Sequence, residues 1–248
     1  MPGASGAALP GGIQLLSQRW SDFQASRRQD ASYRRVWQAF RALDSVADGR
    51  HDTAEWRARQ GVYAVCIVRI PAATLEPALD EMRRALAPLS SVRPHPDHFL
   101  HVSLQELGFV CDKPERPDEI DQERLDEFVN QLPSALAGAP KFELRLGGAN
   151  AFQDAIFLDV HDRGHCGRLH ARMRELAGIL SVPKFAYLPH ATIAHFTSEA
   201  PIDDLPALVG RWRDRRFGSF EVSSIEVVTM DVRLTYPRLV QYAVHSLG

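Results

Sequence analysis

Two four-residue segments of this chain carry side chains suited to moving protons around a phosphate. One is His101-Val102-Ser103-Leu104 and the other is His190-Ala191-Thr192-Ile193. Each sets a histidine and a hydroxyl two positions apart, with apolar residues between and after. On a β-strand, residues i and i+2 share a face. His101 and Ser103 then project together while Val102 and Leu104 turn into a core; His190 and Thr192 do the same over Ala191 and Ile193. Histidine titrates near neutral pH, so one of the two can be a base while the other is an acid. Phosphodiester chemistry needs both, because a nucleophile oxygen must lose a proton and a leaving oxygen must gain one. Each transfer typically contributes ~10²–10⁴-fold. The two hydroxyls can donate to non-bridging oxygens as negative charge builds. Two strand residues span roughly 6.6 Å, so both side chains of a pair can reach one phosphate. This scheme calls for no metal, since the imidazoles handle the protons.

The triplet alone is weak evidence, because His-x-Ser/Thr also occurs at His51-Asp52-Thr53 and His195-Phe196-Thr197. The first lies in a polar run without strand alternation. The second shares a strand with His190, and strict alternation puts His195 on the opposite face. The run His95, His98, His101 invites a metal reading. A spacing of three alternates faces on a strand, and Pro94 and Pro96 oppose a helix, so no metal site is expected there. His98 can line the cleft entrance instead. Tyr63 and Tyr187 are candidates to line the substrate site by stacking on a nucleobase, against the plainer reading of packing. His161, His165 and His170 read as solvated residues on or before a surface helix. Gly147-Gly148 reads as a turn between strands, because no helix comes after it to make a phosphate loop.

The elements that must hold the two motifs can be read from periodicity. Of the 248 residues, 45% are hydrophobic and 24% charged, with a net charge of −2 and a pI of about 6.6. That suits one large core or two small ones. It shows no overall basic surface for a long nucleic acid. The one dense basic run, Arg211-Trp212-Arg213-Asp214-Arg215-Arg216, reads as a solvated helix end complementing its dipole, with phosphate contact as the alternative. Cys66, Cys111 and Cys166 have neither metal nor disulfide spacing and read as reduced thiols of a cytoplasmic protein. No window reaches the about 18 apolar residues that span a bilayer, and the start shows no secretion signal.

Residues 1–12 are rich in Gly, Ala and Pro and read as a disordered start. Two helical stretches come next, on Leu15, Leu16, Trp20 and Phe23, then on Tyr33, Val36, Trp37, Phe40 and Leu43. After a polar stretch the chain alternates. A buried strand covers Tyr63–Ile70, Thr74 caps a helix on Leu75, Leu79, Met82, Leu86 and Leu89, and the first motif lies on a strand over Phe99–Leu107. A helix on Leu125, Phe128, Val129, Leu132 and Leu136 leads to a half-exposed strand over Lys141–Leu146. The order then repeats: a strand over Ala155–Val160, a helix on Leu169, Met173, Leu176 and Leu180, and the second motif strand over Leu188–Phe196. A helix on Leu205, Leu208, Val209 and Trp212 precedes a long strand region over Phe220–Val232 and a last strand over Leu239–Val244. The motif histidines are 89 positions apart, as two similar halves sharing one cleft would place them.

The paired motifs HVSL and HATI, the second within YLPHATIAHF, resemble those of the two-histidine (2H) phosphoesterases. That superfamily includes 2′-5′ RNA ligase-like proteins and 2′,3′-cyclic phosphodiesterases. The resemblance covers about residues 60–246. It implies an α+β, bilobal, duplicated fold, with two antiparallel sheets flanked by helices and a pseudo-two-fold around a central cleft. On it, His101 and His190 are the catalytic acid and base, Ser103 and Thr192 bind the phosphate, and neither metal nor ATP is expected as a cofactor. Many family members carry Arg or Lys three residues after the second motif's Thr; here that position is His195, a further candidate to line the substrate site. The first motif has Ser where Thr is commoner. An N-terminal extension over residues 1–55, helical after its start, lies outside the usual core and can cover the cleft, dimerise or pack on one lobe. The phosphoesterase domain is expected over 56–248, with halves of about 56–150 and 151–248.

The leading expectation is a metal-independent phosphoesterase acting on 2′,3′-cyclic phosphate ends of RNA or on a small cyclic nucleotide. The same site would make a 2′-5′ bond if an RNA 5′-hydroxyl replaced water. A nucleotide-binding module without turnover and a scaffold using the N-terminal helices are the readings from other classes. The expected partners are RNA ends or small nucleotides, with no membrane. Sequence leaves open which histidine is acid and which is base.

Overall fold

The alternating apolar runs close into two five-stranded sheets whose motif strands occupy equivalent places. In a computed structural model of the chain, the described residues are 11–50, 53–59, 61–178 and 186–248. The strands in chain order are β1 (Ser45–Val46), β2 (Val62–Arg69), β3 (Val92–Pro94), β4 (His101–Val110), β5 (Glu119–Ile120) and β6 (Phe142–Ala151). They continue with β7 (Ala155–His161), β8 (His190–Phe196), β9 (Ala200–Pro201), β10 (Arg216–Val222), β11 (Ser224–Met230) and β12 (Val240–Ser246). The helices are α1 (Gly11–Arg41), α2 (Ala54–Arg57), α3 (Ala78–Leu86), α4 (Gln122–Ala135), α5 (His165–Ala177) and α6 (Leu205–Gly210). One sheet has the order β12-β11-β2-β4-β5, the other β10-β6-β7-β8-β3, and β1 pairs with β9. The motif strands β4 and β8 are each fourth in their sheet. Both central triplets, β11-β2-β4 and β6-β7-β8, are antiparallel. The fold is α+β and duplicated, as the motif order implies.

Neither sheet comes from one half of the chain alone. β3 crosses to pair with β8, while β11 and β12 return to extend β2. The two sheets therefore do not divide at residue 150. The region expected as one long strand over Phe220–Val232 is two strands in different sheets, parted at Ser223. Gly147-Gly148 is not a turn. The pair sits inside β6 as a bulge, between the Leu146–Val160 and Ala149–Leu158 partners, with Gly148 at φ +78°. A side chain is disfavoured at that dihedral, which is why glycine holds the position.

The two N-terminal helical stretches are one 31-residue helix, α1. Nothing between Phe23 and Tyr33 is Gly or Pro, so no breaker separates the two apolar faces. The expected disordered start falls mostly on residues 1–10, outside the described residues, and Gly11 and Gly12 already belong to α1. Leu180 and the His51-Asp52 pair also lie outside them. Thr53 caps the short α2 by accepting from the Trp56 amide at 3.3 Å. Thr74 caps no helix: its hydroxyl donates to the Pro71 carbonyl at 2.7 Å, closing a short 3-10 turn, and α3 begins after Pro77. Behind the motifs, Val102, Leu104, Ala191 and Ile193 are at most 1% exposed. Burying a Val, Leu or Ile side chain contributes roughly 1.5–3 kcal/mol, which makes a one-residue slip of either motif strand costly.

Of the outcomes expected for the N-terminal extension, α1 takes packing, against the second sheet, and it does so through polar bonds. Tyr33 is 1% exposed. Its hydroxyl accepts from the Val160 amide at 3.0 Å and reaches the carbonyls of Val160 and Pro189, the residue before His190. Asn150 donates to the Tyr33 carbonyl at 3.1 Å and to Asp159 at 2.9 Å. Gln29 donates to Asp162 at 3.1 Å, and Asp162 in turn accepts from the Gly164 amide at 2.9 Å. Removing one partner from a buried polar contact costs about 1–3 kcal/mol. Tyr33→Phe should therefore lower the unfolding free energy by that amount, read as a lower urea midpoint with an unchanged m-value. An unchanged midpoint would mean that α1 is not held through this hydroxyl.

Candidate active site

A cavity of about 310 Å³ opens between the sheets, and all four motif side chains line it: His101 and Ser103 from β4, His190 and Thr192 from β8. The spacing of two places each pair on one face, and the pairing registers keep those faces directed at the same space. His101 stands opposite Arg69 and Ser103 opposite Ile67 on β2; His190 stands opposite Asp159 and Thr192 opposite Phe157 on β7.

Both histidines are held in the same way. His101 Nδ1 lies 2.7 Å from the Phe99 carbonyl, and His190 Nδ1 lies 2.8 Å from the Leu188 carbonyl, each two residues back along the chain. A carbonyl only accepts, so Nδ1 carries the proton in both rings. Nε2 is then the nitrogen that gains and loses a proton. Aromatic edges fix the ring planes: Phe99 stands at 90° to His101 with centroids 5.5 Å apart, and Phe152 at 85° to His190 at 5.2 Å. Burial pushes the His190 pKa down from its ordinary value, against smaller opposing effects of the Leu188 carbonyl, Asp154 and Glu106.

Each motif strand also carries a bulge directly after its hydroxyl. On β4, Ser103 pairs with Ile67 and Gln105 with Cys66, leaving Leu104 extra. On β8, Thr192 pairs with Phe157 and Ala194 with Ile156, leaving Ile193 extra. An extra residue shifts the alternation by one. Glu106 and His195, each three positions after the hydroxyl, thereby return to the cavity face. This corrects the expectation that His195 faces away from His190. The carbonyls at the bulges find new partners, as buried backbone groups must. The Tyr187 hydroxyl donates to Ser103 O at 2.9 Å, His170 Nδ1 donates to Leu104 O at 2.7 Å, and the His95 amide donates to Ile193 O at 2.7 Å.

That arrangement accounts for where the remaining candidates lie. Tyr187 does not line the cavity: its ring stacks on His170 at 4.0 Å and 9°, and its hydroxyl braces the first motif. His98 does not line it either; the residue is exposed and its Nε2 lies 3.0 Å from the Tyr236 carbonyl. Tyr63 does line it, packed in an aromatic cluster with Trp56 and Phe109 at 5.1 and 5.0 Å, and burial followed by the nearby Glu106 carboxylate raises its pKa well above the ordinary value. His195 pairs with His95, Nδ1 to Nε2 at 3.0 Å. His95, His98 and His101 thus bond to three different groups, and no cluster of three or more metal-ligating side chains occurs among the described residues. The three histidines read as solvated are engaged: His161 with Asp30 and the Gly147 carbonyl, His165 stacked on Phe142 at 4.6 Å, and His170 as above.

Sequence reasoning did not single out Glu106, Arg93, Arg50, Trp56 or Tyr236, and weighed His95 only as a metal ligand; all six line the cavity. Glu106 had one usable signal, its place three residues after the first motif's hydroxyl, matching His195 in the second. Arg50 comes from the N-terminal extension and Trp56 is the residue directly after it, so the extension contributes to the cavity wall as well as packing on the second sheet.

The depressed His190 pKa has a testable sign. Between the unfolded value, about 6.5, and the lower folded one, the unfolded chain binds the extra proton. The His190 contribution to stability is therefore full above about pH 6.5 and is lost as pH falls toward the folded value. An NMR titration of the His190 ring should show a midpoint below about 6.5, and His190→Gln should flatten the loss of stability on acidification. A midpoint at or above that value would contradict the effect of burial.

The chain matches the family described as the 2′-5′ RNA ligase superfamily over residues 71–233. No curated protein sequence matches it. Among solved structures, TT0787 of Thermus thermophilus is similar at a TM-score of 0.54 and 22% identity, covering 75% of this chain and 97% of its own. LigT of E. coli, in a complex with 3′-AMP, is similar at 0.52 and 18%, covering 76% and 99%. A structure described only as a phosphoesterase is similar at 0.50 and 17%, covering 75% and 98%. At these identities the neighbours speak for the fold, while the family match spans about two thirds of the chain and includes both motifs. With the duplicated sheets and the two His-x-hydroxyl strands lining one cavity, that match makes this chain a member of the 2′-5′ RNA ligase superfamily of 2H phosphoesterases.

Proposed function

We propose that the protein opens 2′,3′-cyclic phosphate ends of RNA, or of a small nucleotide, by acid–base catalysis between His101 and His190. The observation that carries this reading is the matched pair of imidazoles, each fixed through Nδ1 to a backbone carbonyl and each beside its own hydroxyl in one cavity. Burial favours the neutral form of His190, which is the form a base requires. His190 Nε2 takes the proton of the attacking water. The new P–O bond forms as the bond to the 3′ oxygen breaks, and His101 Nε2 gives that oxygen its proton. The product carries a 2′-phosphate. Ser103 and Thr192 donate to the non-bridging oxygens as their charge grows. Tyr63 and Trp56 supply an aromatic wall suited to a base or ribose.

His101→Ala and His190→Ala should each lower kcat on a nucleoside 2′,3′-cyclic phosphate by about 10²–10⁴-fold, with little change in KM. A diester with a p-nitrophenolate leaving group needs no proton on departure, so it should restore much of the His101→Ala loss and little of the His190→Ala loss. Wild-type turnover by both variants would remove the catalytic assignment; the opposite rescue pattern would exchange the two roles.

The family's description favours one further reading. With an RNA 5′-hydroxyl in place of water, the same proton transfers join a 2′-5′ bond, and no nucleotide triphosphate enters the balance because the cyclic phosphate supplies the energy. Incubating a cyclic-phosphate RNA with and without a 5′-hydroxyl acceptor separates the two: a joined product supports ligation, and a 2′-phosphate alone supports hydrolysis. No helix among the described residues is long and apolar enough to cross a membrane.

A further inference from the structure

A second cavity, of about 420 Å³, lies on the second sheet and shares no lining residue with the histidine cavity. It joins two sequence features that look unrelated along the chain, the Gly147-Gly148 pair and the basic run ending at Arg216. The bulge in β6 lets that run lie directly on the strand. The Gly148 amide donates to the Arg215 carbonyl at 2.9 Å, and the Ala149 amide to the Trp212 carbonyl at 3.1 Å. A Cβ at Gly148 would stand 2.9 Å from the Arg213 carbonyl oxygen, and its φ of +78° disfavours a side chain as well. The basic run is therefore not a solvated helix end. It is tied to β6 and presents its arginines around a hollow.

Arginines dominate the lining of that hollow. Arg34 from α1, Arg145 from β6 and Arg213, Arg215 and Arg216 line it, against Asp30, Asp159 and Asp214, while Glu76 and Glu81 outside the lining pair with two of the five arginines. Arg213 is bound to the buried Asp159 at 3.0 Å and to the Ala149 carbonyl at 2.7 Å, so it is structural. Arg215 and Arg216 reach Glu81 and Glu76 at 3.6 and 3.2 Å as exposed pairs, which hold such side chains weakly. Arg34 and Arg145 are exposed and form no ion pair with the described residues. His161 faces Arg145 across β6 and β7, and burial together with Arg145 holds its pKa below the ordinary value. Planar guanidinium groups converging on one hollow match the oxygens of a phosphate, which they bind in bidentate fashion.

We propose that this hollow is a second phosphate-binding site, in which Arg34 and Arg145 hold a phosphate group within the field of Arg215 and Arg216. The same chemistry can come from a free phosphate ion or from the backbone of an RNA strand. The site does not depend on the catalytic reading; a cleft without turnover would leave it standing. Asp159 stands directly opposite His190 in the β7–β8 register, and Tyr33 both lines the hollow and bonds the Pro189 carbonyl. The second site is thus one strand away from the second motif.

The test monitors the backbone amide signals of Gly147 and Gly148 by NMR on the full chain, titrated with inorganic phosphate and separately with a pentaribonucleotide lacking terminal phosphates. At least one probe should shift these signals saturably. Arg34→Glu with Arg145→Glu should weaken that binding at least tenfold while turnover at the histidine cavity persists. Both side chains are exposed; should the reversed pair disturb the fold, Arg34→Gln with Arg145→Gln should still weaken binding about threefold or more. Saturation by phosphate alone assigns a small anion, and saturation only by the oligonucleotide assigns an RNA backbone. Signals that neither probe moves, or an affinity unchanged in the variants, would overturn the proposal.

Discussion

A β-strand alternates its faces with a period of two, and both motif strands break that alternation directly after the hydroxyl. The rest of the cavity depends on these two bulges. Ahead of each bulge the alternation delivers a histidine and a hydroxyl to the cleft. Behind it the phase has shifted, and Glu106 or His195 arrives on the same face. Without the bulges those two positions would face the core. A carboxylate and an imidazole buried there without partners would cost several kcal/mol. The cost of each bulge is the loss of ladder hydrogen bonds, and side chains or amides from outside the strand offset it. Tyr187, His170 and the His95 amide take the carbonyls of Ser103, Leu104 and Ile193.

The two halves share this construction but differ in the residue placed beyond the bulge. The first motif ends on an acid, Glu106, beside Tyr63; the second ends on a histidine, His195, bonded to His95. An anionic side chain on one wall and an imidazole pair on the other make the cleft electrostatically uneven. The uneven field acts on His190, whose burial lowers its pKa while Glu106 and Asp154 oppose the shift.

The N-terminal helix belongs to the same mechanical unit. Family similarity begins at residue 71, yet Tyr33 reaches the carbonyl next to His190, and Arg50 and Trp56 line the cavity. An apolar stripe alone would hold α1 against the sheet with loose register. The buried hydrogen bonds of Gln29, Tyr33 and Asn150 fix it at one position, because an unsatisfied polar group inside the protein is costly in every other register.

The sequence by itself determined the family and the layout. Two His-x-hydroxyl segments on apolar strands, repeated in one order of elements, were enough to give the α+β duplication, the four motif side chains and the family. These result from period-two alternation and from residue type, which are local. Tertiary structure alone decided what depended on pairing partners. It placed His195 and Glu106 in the cleft through bulges that no local pattern marks, and turned Tyr187 and His170 into braces for freed carbonyls. It also split Phe220–Val232 between two sheets and brought Gly147-Gly148 under a basic run some 65 positions away. A bulge is defined by the strand opposite it, and a hydrogen bond by a partner distant in sequence. Neither is written in the residues of the segment that carries it.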